Sequence, residues 1–194
     1  MDTPTGAKPG RPRDPETETR ILEVALRHLA RDGYSRMSMD AIAAEAGASK
    51  PTLYRRWASK ADLATAAIQT IRFAEPPFDT GSTPGDLQAA LANFSRSLLR
   101  PNGLSLIGTV LAEEEHTPDL IRLFRERLVA PRRAILRAIL ERARKRKELR
   151  ANADLDAAVN LLVGAFYARY LSGAAITDDF SNQVVGIVWQ GIRK

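Results

Sequence analysis

Ser38-Met39-Asp40-Ala41-Ile42-Ala43-Ala44-Glu45-Ala46-Gly47-Ala48-Ser49-Lys50-Pro51-Thr52-Leu53-Tyr54-Arg55-Arg56-Trp57-Ala58-Ser59-Lys60 reads as two short helices joined by a tight turn, with a third helix starting at once. Ser38 suits the first N-cap, where its hydroxyl accepts from a backbone N–H that otherwise has no partner. Ile42 and Ala46 then share one face. Gly47 stands where the first helix must stop, a position that favours a residue able to take positive φ. Ser49 caps the second helix, and Pro51 falls in its first turn, where a missing N–H costs nothing. Leu53 and Trp57 point inward, leaving Lys50, Thr52, Tyr54, Arg55 and Arg56 facing out. Ser59 caps the third. An exposed helix carrying Tyr-Arg-Arg on a small apolar base is what a helix-turn-helix needs to enter a major groove.

Working outward, the composition favours packed helices. The 194 residues are 44% hydrophobic but only 6% aromatic, and Ala and Leu abound. The net charge of +6 and pI of about 10.0 are compatible with a polyanionic partner. There is no cysteine, which excludes disulfides and thiolate chemistry. No apolar run approaches the roughly 20 residues that span a bilayer, and the polar, basic N-terminus does not read as a signal peptide. A soluble cytoplasmic protein is the expectation, without cofactor, metal or membrane partner.

The run Ile42-Ala43-Ala44-Glu45-Ala46-Gly47-Ala48-Ser49-Lys50, then Thr52-Leu53-Tyr54, Trp57 and Ser59-Lys60, resembles the DNA-binding domain of the TetR (tetracycline repressor) family of transcriptional regulators. Pro51 departs from the family's frequent Gly or Ala. Arg55-Arg56 stand where an aromatic and a His are frequent, a change that should alter which bases are read. The stretch Arg125–Arg133, with Glu148-Leu149-Arg150, is similar to a C-terminal subgroup of the same family. The resemblance implies an all-α fold of about nine helices: a three-helix DNA-binding domain over residues 14–60, and a helical regulatory and dimerisation domain over 61–194.

Residues 1–13 read as a disordered basic arm. Its Lys8-Pro9-Gly10-Arg11-Pro12-Arg13 resembles an AT-hook core, in which Arg11 and Arg13 would lie in a minor groove; the plainer reading is a solvated tail. Helix 1 should run from about Asp14 to Arg31, with Ile21, Leu22, Ala25, Leu26 and Leu29 on its apolar face and Gly33 ending it. His28 has no ligand-forming neighbours in sequence and reads as a surface or satisfied packing histidine. Helix 4 should follow Ser59 to about Phe73 and join the head to the rest. In the family the residue matching Lys60 touches a DNA phosphate. Glu75–Gly85 reads as the loop at the domain boundary.

Helix 5 (about Pro84–Arg100) and helix 6 (about Leu104–Glu115) precede a long helical pattern from Thr117 to about Glu148. Thr117 is a candidate cap. Pro131 removes a backbone donor in mid-pattern, so a kink or break is expected near Leu128–Ala130. The basic run Arg142, Arg144, Lys145, Arg146, Lys147 and Arg150 could be a second DNA surface. A solvated helix end, where cations suit the dipole, is the better reading. Helix 8 (about Asp154–Ser172) is apolar nearly all round and helix 9 (about Thr177–Ile192) shows two apolar faces, so each needs a partner on two sides. In the family the dimer forms here. A two-fold four-helix interface burying on the order of 1,500–2,500 Å² would use Leu162, Phe166, Tyr170, Val185, Trp189 and Ile192.

The DNA-contacting candidates are therefore Arg11, Arg13, Ser38, Ser49, Lys50, Thr52, Tyr54, Arg55, Arg56 and Lys60, facing a palindromic operator. Arg55 and Arg56, about 100° apart on a helix, suit one guanine contact and one phosphate contact, and Arg55 is expected to set the preference at one base pair. The resemblance also implies a repressor released by a small, largely apolar effector bound among helices 4 to 8. Candidate cavity walls are Phe94, Leu98, Ile107, Val110, Leu111, Phe124, Leu128, Phe166, Tyr167 and Tyr170. An enzyme finds little support: two isolated His, no Gly-rich phosphate loop, and a Glu113-Glu114-Glu115-His116 run whose side chains point around a helix. The competing reading is an architectural DNA-binding protein of low specificity with no small-molecule ligand.

Overall fold

The computed structural model describes residues 15–71 and 78–194. The arm with Arg11 and Arg13, and residues 72–77 of the predicted loop, lie outside the described residues. These hold nine helices: α1 (Pro15–Arg36), α2 (Met39–Glu45), α3 (Lys50–Arg56), α4 (Lys60–Gln69), α5 (Thr83–Leu98), α6 (Gly103–Ala112), the long α7, α8 (Leu155–Leu171) and α9 (Phe180–Ile192). The rod α7 is α-helical over Pro118–Phe124, π-helical over Arg125–Val129, and α-helical again over Ala130–Lys145. One antiparallel bridge, Leu149 to Arg193, pins the chain's end to the turn after α7.

The caps form as the sequence predicts. Ser38 Oγ accepts from Ala41 N (3.4 Å), Ser49 Oγ from Thr52 N (3.3 Å) and Ser59 Oγ from Asp62 N (3.1 Å). Gly47 has φ 62°, the left-handed conformation that stops α2 without steric cost. Gly33, at φ 77°, kinks α1 where the sequence predicts its end, and one more turn continues to Arg36. Asp154 caps α8 through Asp156 N and Ala157 N. Thr117 does not cap α7; its hydroxyl instead donates to Glu113 Oε2 (3.2 Å).

Pro131 does not end the helical run, but just before it the α-helix gives way to a π turn over Arg125–Val129, close to the predicted kink. The π turn just before it takes up the misfit, with Ala130 N bonding to Arg125 O, five residues back. The ring leaves no N–H for the Arg127 carbonyl four residues earlier. That carbonyl accepts instead from Gln69 Nε2 on α4 (3.3 Å). A backbone defect in one helix has become a cross-link to another.

Two apolar cores hold the helices. The first gathers α1–α4 around Ile21, Leu29, Ile42, Leu53 and Leu63, and extends to Leu106 and Val110 of α6 and to Leu120, Phe124 and Leu128 of α7. The second joins α5, the later half of α7, α8 and α9 around Leu87, Leu91, Ile139, Leu162, Phe166 and Val185. Each fully buried Leu or Ile contributes about 1.5–3 kcal/mol. Because α7 runs through both cores, a shift of its first half is felt beside α4.

The burial pattern corrects three of the proposed interface residues. Leu162, Phe166 and Val185 are 0% exposed within the chain's own core, where Phe166 stacks edge-on against Phe94 and Phe180, so they have no face left for a partner. The outward apolar residues are their neighbours: Leu161 (62% exposed), Tyr170 (50%) and Leu171 (82%) on α8, and Ile187 (74%) on α9. Trp189 and Ile192 are half-buried against the second core. No helix of the described residues is long and apolar enough to cross a membrane.

Candidate nucleic-acid interface and ligand cavity

The helix-turn-helix is fixed from beneath. Leu53 (0% exposed) and Trp57 (6%) anchor α3 in the first core. His28 is the satisfied packing histidine of the two readings: it is buried on α1, with Nε2 2.7 Å from Glu45 Oε2 on α2. Arg27 bonds the other Glu45 oxygen at 2.8 Å. Hydrogen bonds from Arg27 and His28 hold the Glu45 carboxyl below its usual range. These contacts set the angle at which α2 presents α3.

The two arginines differ in their partners. Arg56 turns back to α1, where Nη1 pairs with Glu18 Oε2 at 2.9 Å and only 14% of the side chain is exposed. Arg55 is exposed, and no hydrogen bond or ion pair holds it among the described residues. Tyr54 lies beside it, 53% exposed. Ser49 and Thr52 share a hydroxyl bond of 2.9 Å at the start of α3. Lys50 reaches Asp40 on α2 at 2.6 Å, an exposed pair that water and phosphate can compete for. Lys60 spends its ammonium inside the domain: Nζ donates to Tyr34 O (3.0 Å) and Ser35 O (3.2 Å) and lies 4.3 Å from the centre of the Tyr34 ring. It fixes the start of α4 to the end of α1.

A mostly apolar cavity of about 240 Å³ lies between α4, α5, α6, α7 and α8. Of the ten residues named for it in the sequence, Phe94, Leu98, Ile107, Phe124, Leu128 and Tyr167 do line it. Val110 and Phe166 do not, because both are fully enclosed in the cores; Leu111 and Tyr170 do not, because both are about half exposed on the surface. The walls that sequence reasoning missed are Ile68 of α4, Ile71 just past its end, Ser97, Gly103, Val129, Val163 and the pair Arg132-Arg133. The arginines follow Pro131 within the quoted Arg125–Arg133 stretch, but no periodicity of apolar residues could flag them as wall.

Two of the helices that wall the cavity, α4 and α7, are tied together outside it. Arg127, in the π turn, donates to Asp62 Oδ1 and to Thr65 Oγ1 (3.2 Å) on α4. With Gln69 on the Arg127 carbonyl, three residues on one face of α4 grip the π turn. The second Asp62 oxygen accepts from Ala58 N at 3.0 Å, just past the end of α3. One carboxylate thus touches both the sensor side and the DNA side.

Other charged clusters are structural. Glu113 accepts from Ser35 and Thr117, and Glu114 pairs with Arg125. Among the described residues no group of three or more His, Asp or Glu is placed to hold a metal. In the basic run, Arg142 pairs with Asp86 (3.1 Å), Arg144 donates to Ala153 O (2.7 Å) and Arg146 pairs with Glu148 (2.5 Å). These guanidiniums knit α7 to its neighbours, which supports the reading of a helix end over that of a second DNA surface.

Helices throughout the described residues, a capped helix-turn-helix with a basic face, and a partly open, mostly apolar cavity together fit a DNA-binding transcriptional regulator. The family model described as bacterial regulatory proteins, tetR family, matches residues 21–67, and that described as tetracyclin repressor-like, C-terminal domain, matches 77–188. The chain belongs to the TetR family. It is 39% identical over 171 residues to an uncharacterized HTH-type transcriptional regulator of Mycobacterium tuberculosis, covering 87% of this chain and 81% of that protein. It is 35% identical over 169 residues to the DNA-binding transcriptional repressor TetR of Mycobacteroides abscessus, covering 85% and 87%. Among solved structures, the TetR family transcription regulator SCO0332 matches with TM-score 0.68 at 28% identity, over 92% of this chain and all of that one.

Proposed function

We propose that this protein is a cytoplasmic repressor that binds a palindromic operator as a homodimer and is released by a small molecule entering the 240 Å³ cavity. The observation that carries the reading is the exposed Tyr54-Arg55 face on a helix anchored by Leu53 and Trp57. Arg55 reads a base edge, and Ser38, Ser49 and Thr52 offer hydroxyls to phosphates. Lys50 exchanges Asp40 for a phosphate. Lys60 contributes by fixing α4, and Arg56 by fixing α3 to α1. Residues 1–13, with Arg11 and Arg13, are either a minor-groove arm or a basic tail that adds non-specific phosphate attraction.

The two copies meet through α8 and α9. A shallow groove between these helices, floored by Ala157, Ala165 and Val188 and flanked by the exposed Leu161 and Ile187, supports that assignment. A two-fold axis there lets each copy fill the other's groove, and it sets the distance between the two recognition helices to about one helical turn of DNA.

Release follows from geometry. A ligand that separates Ile68 and Ile71 from Phe124 and Leu128 must strain the contacts of Asp62, Thr65 and Gln69 with Arg127, and α4 moves relative to α7. The ligand acts only by preferring the conformation that fits DNA poorly. The relative named a repressor supports the sign of regulation.

The deciding experiment selects DNA from a random duplex pool with the purified protein, then measures affinity at fixed salt. An enriched inverted repeat, bound at least a hundredfold tighter than scrambled DNA, is expected. Indifference to sequence would leave an architectural protein, because phosphate contacts alone discriminate little.

A further inference from the structure

The polar side chains of the cavity wall are committed to other contacts, with one exception. Arg133 donates from Nη1 to Asn160 Oδ1 at 2.7 Å. Arg132 lies over the Phe94 ring, with its guanidinium carbon 5.8 Å from the ring centre, and is held by a further interaction. Ser97 Oγ donates to Asn93 O at 3.2 Å. The exception is the Tyr167 hydroxyl, which makes no hydrogen bond among the described residues. No side-chain N or O of the buried and half-buried described residues is both sealed from solvent and without a partner. The Tyr167 hydroxyl therefore opens onto accessible space, and the cavity is the space that Tyr167 lines.

Burial raises the Tyr167 hydroxyl above its usual range, against the opposing pull of the nearby Arg132 charge. It is protonated near neutral pH and available to donate. A guest that covers it without offering an acceptor leaves a buried polar group unpaired, which is costly. A carbonyl oxygen suits this wall, because it accepts in the plane of its substituents and brings no charge to desolvate. A carboxylate would surrender its hydration in a mostly apolar chamber, and would have to draw the arginines out of their existing contacts to regain it. The rest of the wall favours an aromatic body. Tyr167 and Phe94 meet with ring centres 6.2 Å apart and planes at 65°, Phe94 meets Phe166 edge-on at 5.5 Å, and Phe124 stands on the α7 side. A flat ring joins such a set in offset or perpendicular geometry. The volume of about 240 Å³ falls below the ~300–1,000 Å³ of drug-sized sites and keeps the guest compact.

We infer that the effector is a compact, uncharged aromatic carbonyl compound, whose carbonyl oxygen accepts from the Tyr167 hydroxyl and whose ring packs against Phe94 and Phe124. Tyr167 is then the specificity-determining residue of the cavity. The inference rests on the reading of this cavity as the effector site and adds the chemical class.

The test uses the full chain and naphthyl probes of matched shape: 2-acetylnaphthalene, its hydrocarbon counterpart 2-ethylnaphthalene, and 2-naphthoate. Binding to the unaltered protein and to Tyr167→Phe is measured by equilibrium dialysis. In parallel, each probe is added to the protein on its selected operator while fluorescence anisotropy is read. Tyr167→Phe should weaken the ketone about three- to tenfold, the range of a neutral hydrogen bond, and leave the hydrocarbon within about twofold, which also reports an intact cavity. The infrared C=O band of the bound ketone should lie at lower wavenumber in the unaltered protein than in Tyr167→Phe, a shift that a packing role of the ring cannot give. Equal loss of ketone and hydrocarbon in Tyr167→Phe would overturn the assignment, as would ketone binding untouched by that change, an unshifted C=O band, or no ketone binding at its solubility limit. Naphthoate bound tighter than the ketone, without dependence on the Tyr167 hydroxyl, would overturn it too. Operator release separates the two levels of the argument. Hydroxyl-dependent ketone binding without release would uphold the ligand class and sink the effector role. Release by ketone and hydrocarbon alike, unchanged in Tyr167→Phe, would uphold the effector site and sink the class.

Discussion

Replacing Arg55 and Arg56 one at a time should produce two unlike proteins, although the residues adjoin and carry the same charge. Arg55 is exposed and unpaired among the described residues, so Arg55→Ala should leave the fold within about 0.5 kcal/mol of its original stability. Its loss is felt on DNA. A bidentate arginine–guanine contact discriminates by about 1–3 kcal/mol, roughly five- to 150-fold per half-site. Arg56→Ala removes an ion pair with Glu18 whose arginine side chain is only 14% exposed while the glutamate is 51% exposed. Water screens the glutamate end, so the contact is worth about 1–2 kcal/mol, below a fully buried charged hydrogen bond. For a chain of this size that lowers the melting temperature by about 2–8 °C. Binding should weaken on all sequences together, because α3 is held less firmly. The assay is competition anisotropy at constant salt against operators altered one base pair at a time, with a thermal melt of each variant. If Arg56→Ala erased the preference at a single base pair while Arg55→Ala only lowered the melting temperature, the assignment of roles would be reversed and the reasoning wrong.

Leu161→Asp, at 62% exposure on the outward face of α8, should yield monomers in sedimentation velocity with little change in helicity; an unchanged dimer would move the interface elsewhere. Lys60→Ala should lower both thermal stability and operator affinity with no change of base preference, since its ammonium bonds Tyr34 O and Ser35 O; a shifted preference at one base pair would count against this. Arg127→Ala should lower the melting temperature by several degrees and blunt ligand-driven operator release while calorimetry still detects ligand binding; normal release would free α4 from dependence on the π turn. Removing residues 1–13 should reduce affinity more on operators with A·T-rich flanks than with G·C-rich ones, and equal losses would make the arm a plain electrostatic tail.

The helix-turn-helix was readable because its signals are local. Ser38, Ser49 and Ser59 cap within three residues of themselves, and Gly47 needs only its own φ. What the sequence could not settle depends on residues far apart in the chain. Arg56 is turned back by Glu18, 38 positions before it. The fate of Pro131 depends on Gln69, whose amide takes the carbonyl that the ring leaves unbonded. On α8 the difficulty is different: Leu161 and Leu162 are both apolar and about 100° apart, so a helix hydrophobic all round carries no mark of which face looks inward. The cavity was legible in its apolar walls but not in its arginines, because a cation beside a proline on a charged helix looks like solvated surface until the opposing ring, Phe94, is in place.

The division of Asp62, one oxygen on Arg127 and the other on Ala58 N, has a consequence for how such a regulator diversifies. The residues proposed to touch the bases and those that line the cavity form disjoint sets, joined through a connector that belongs to neither. Drift at Arg132, Val163 or Tyr167 can therefore change what the cavity accepts while the DNA-facing helix stays the same. Drift at Tyr54 or Arg55 can change the proposed reading face while the cavity stays the same. A designer building a biosensor from this scaffold would exchange either set freely and leave Asp62, Thr65, Gln69 and Arg127 untouched.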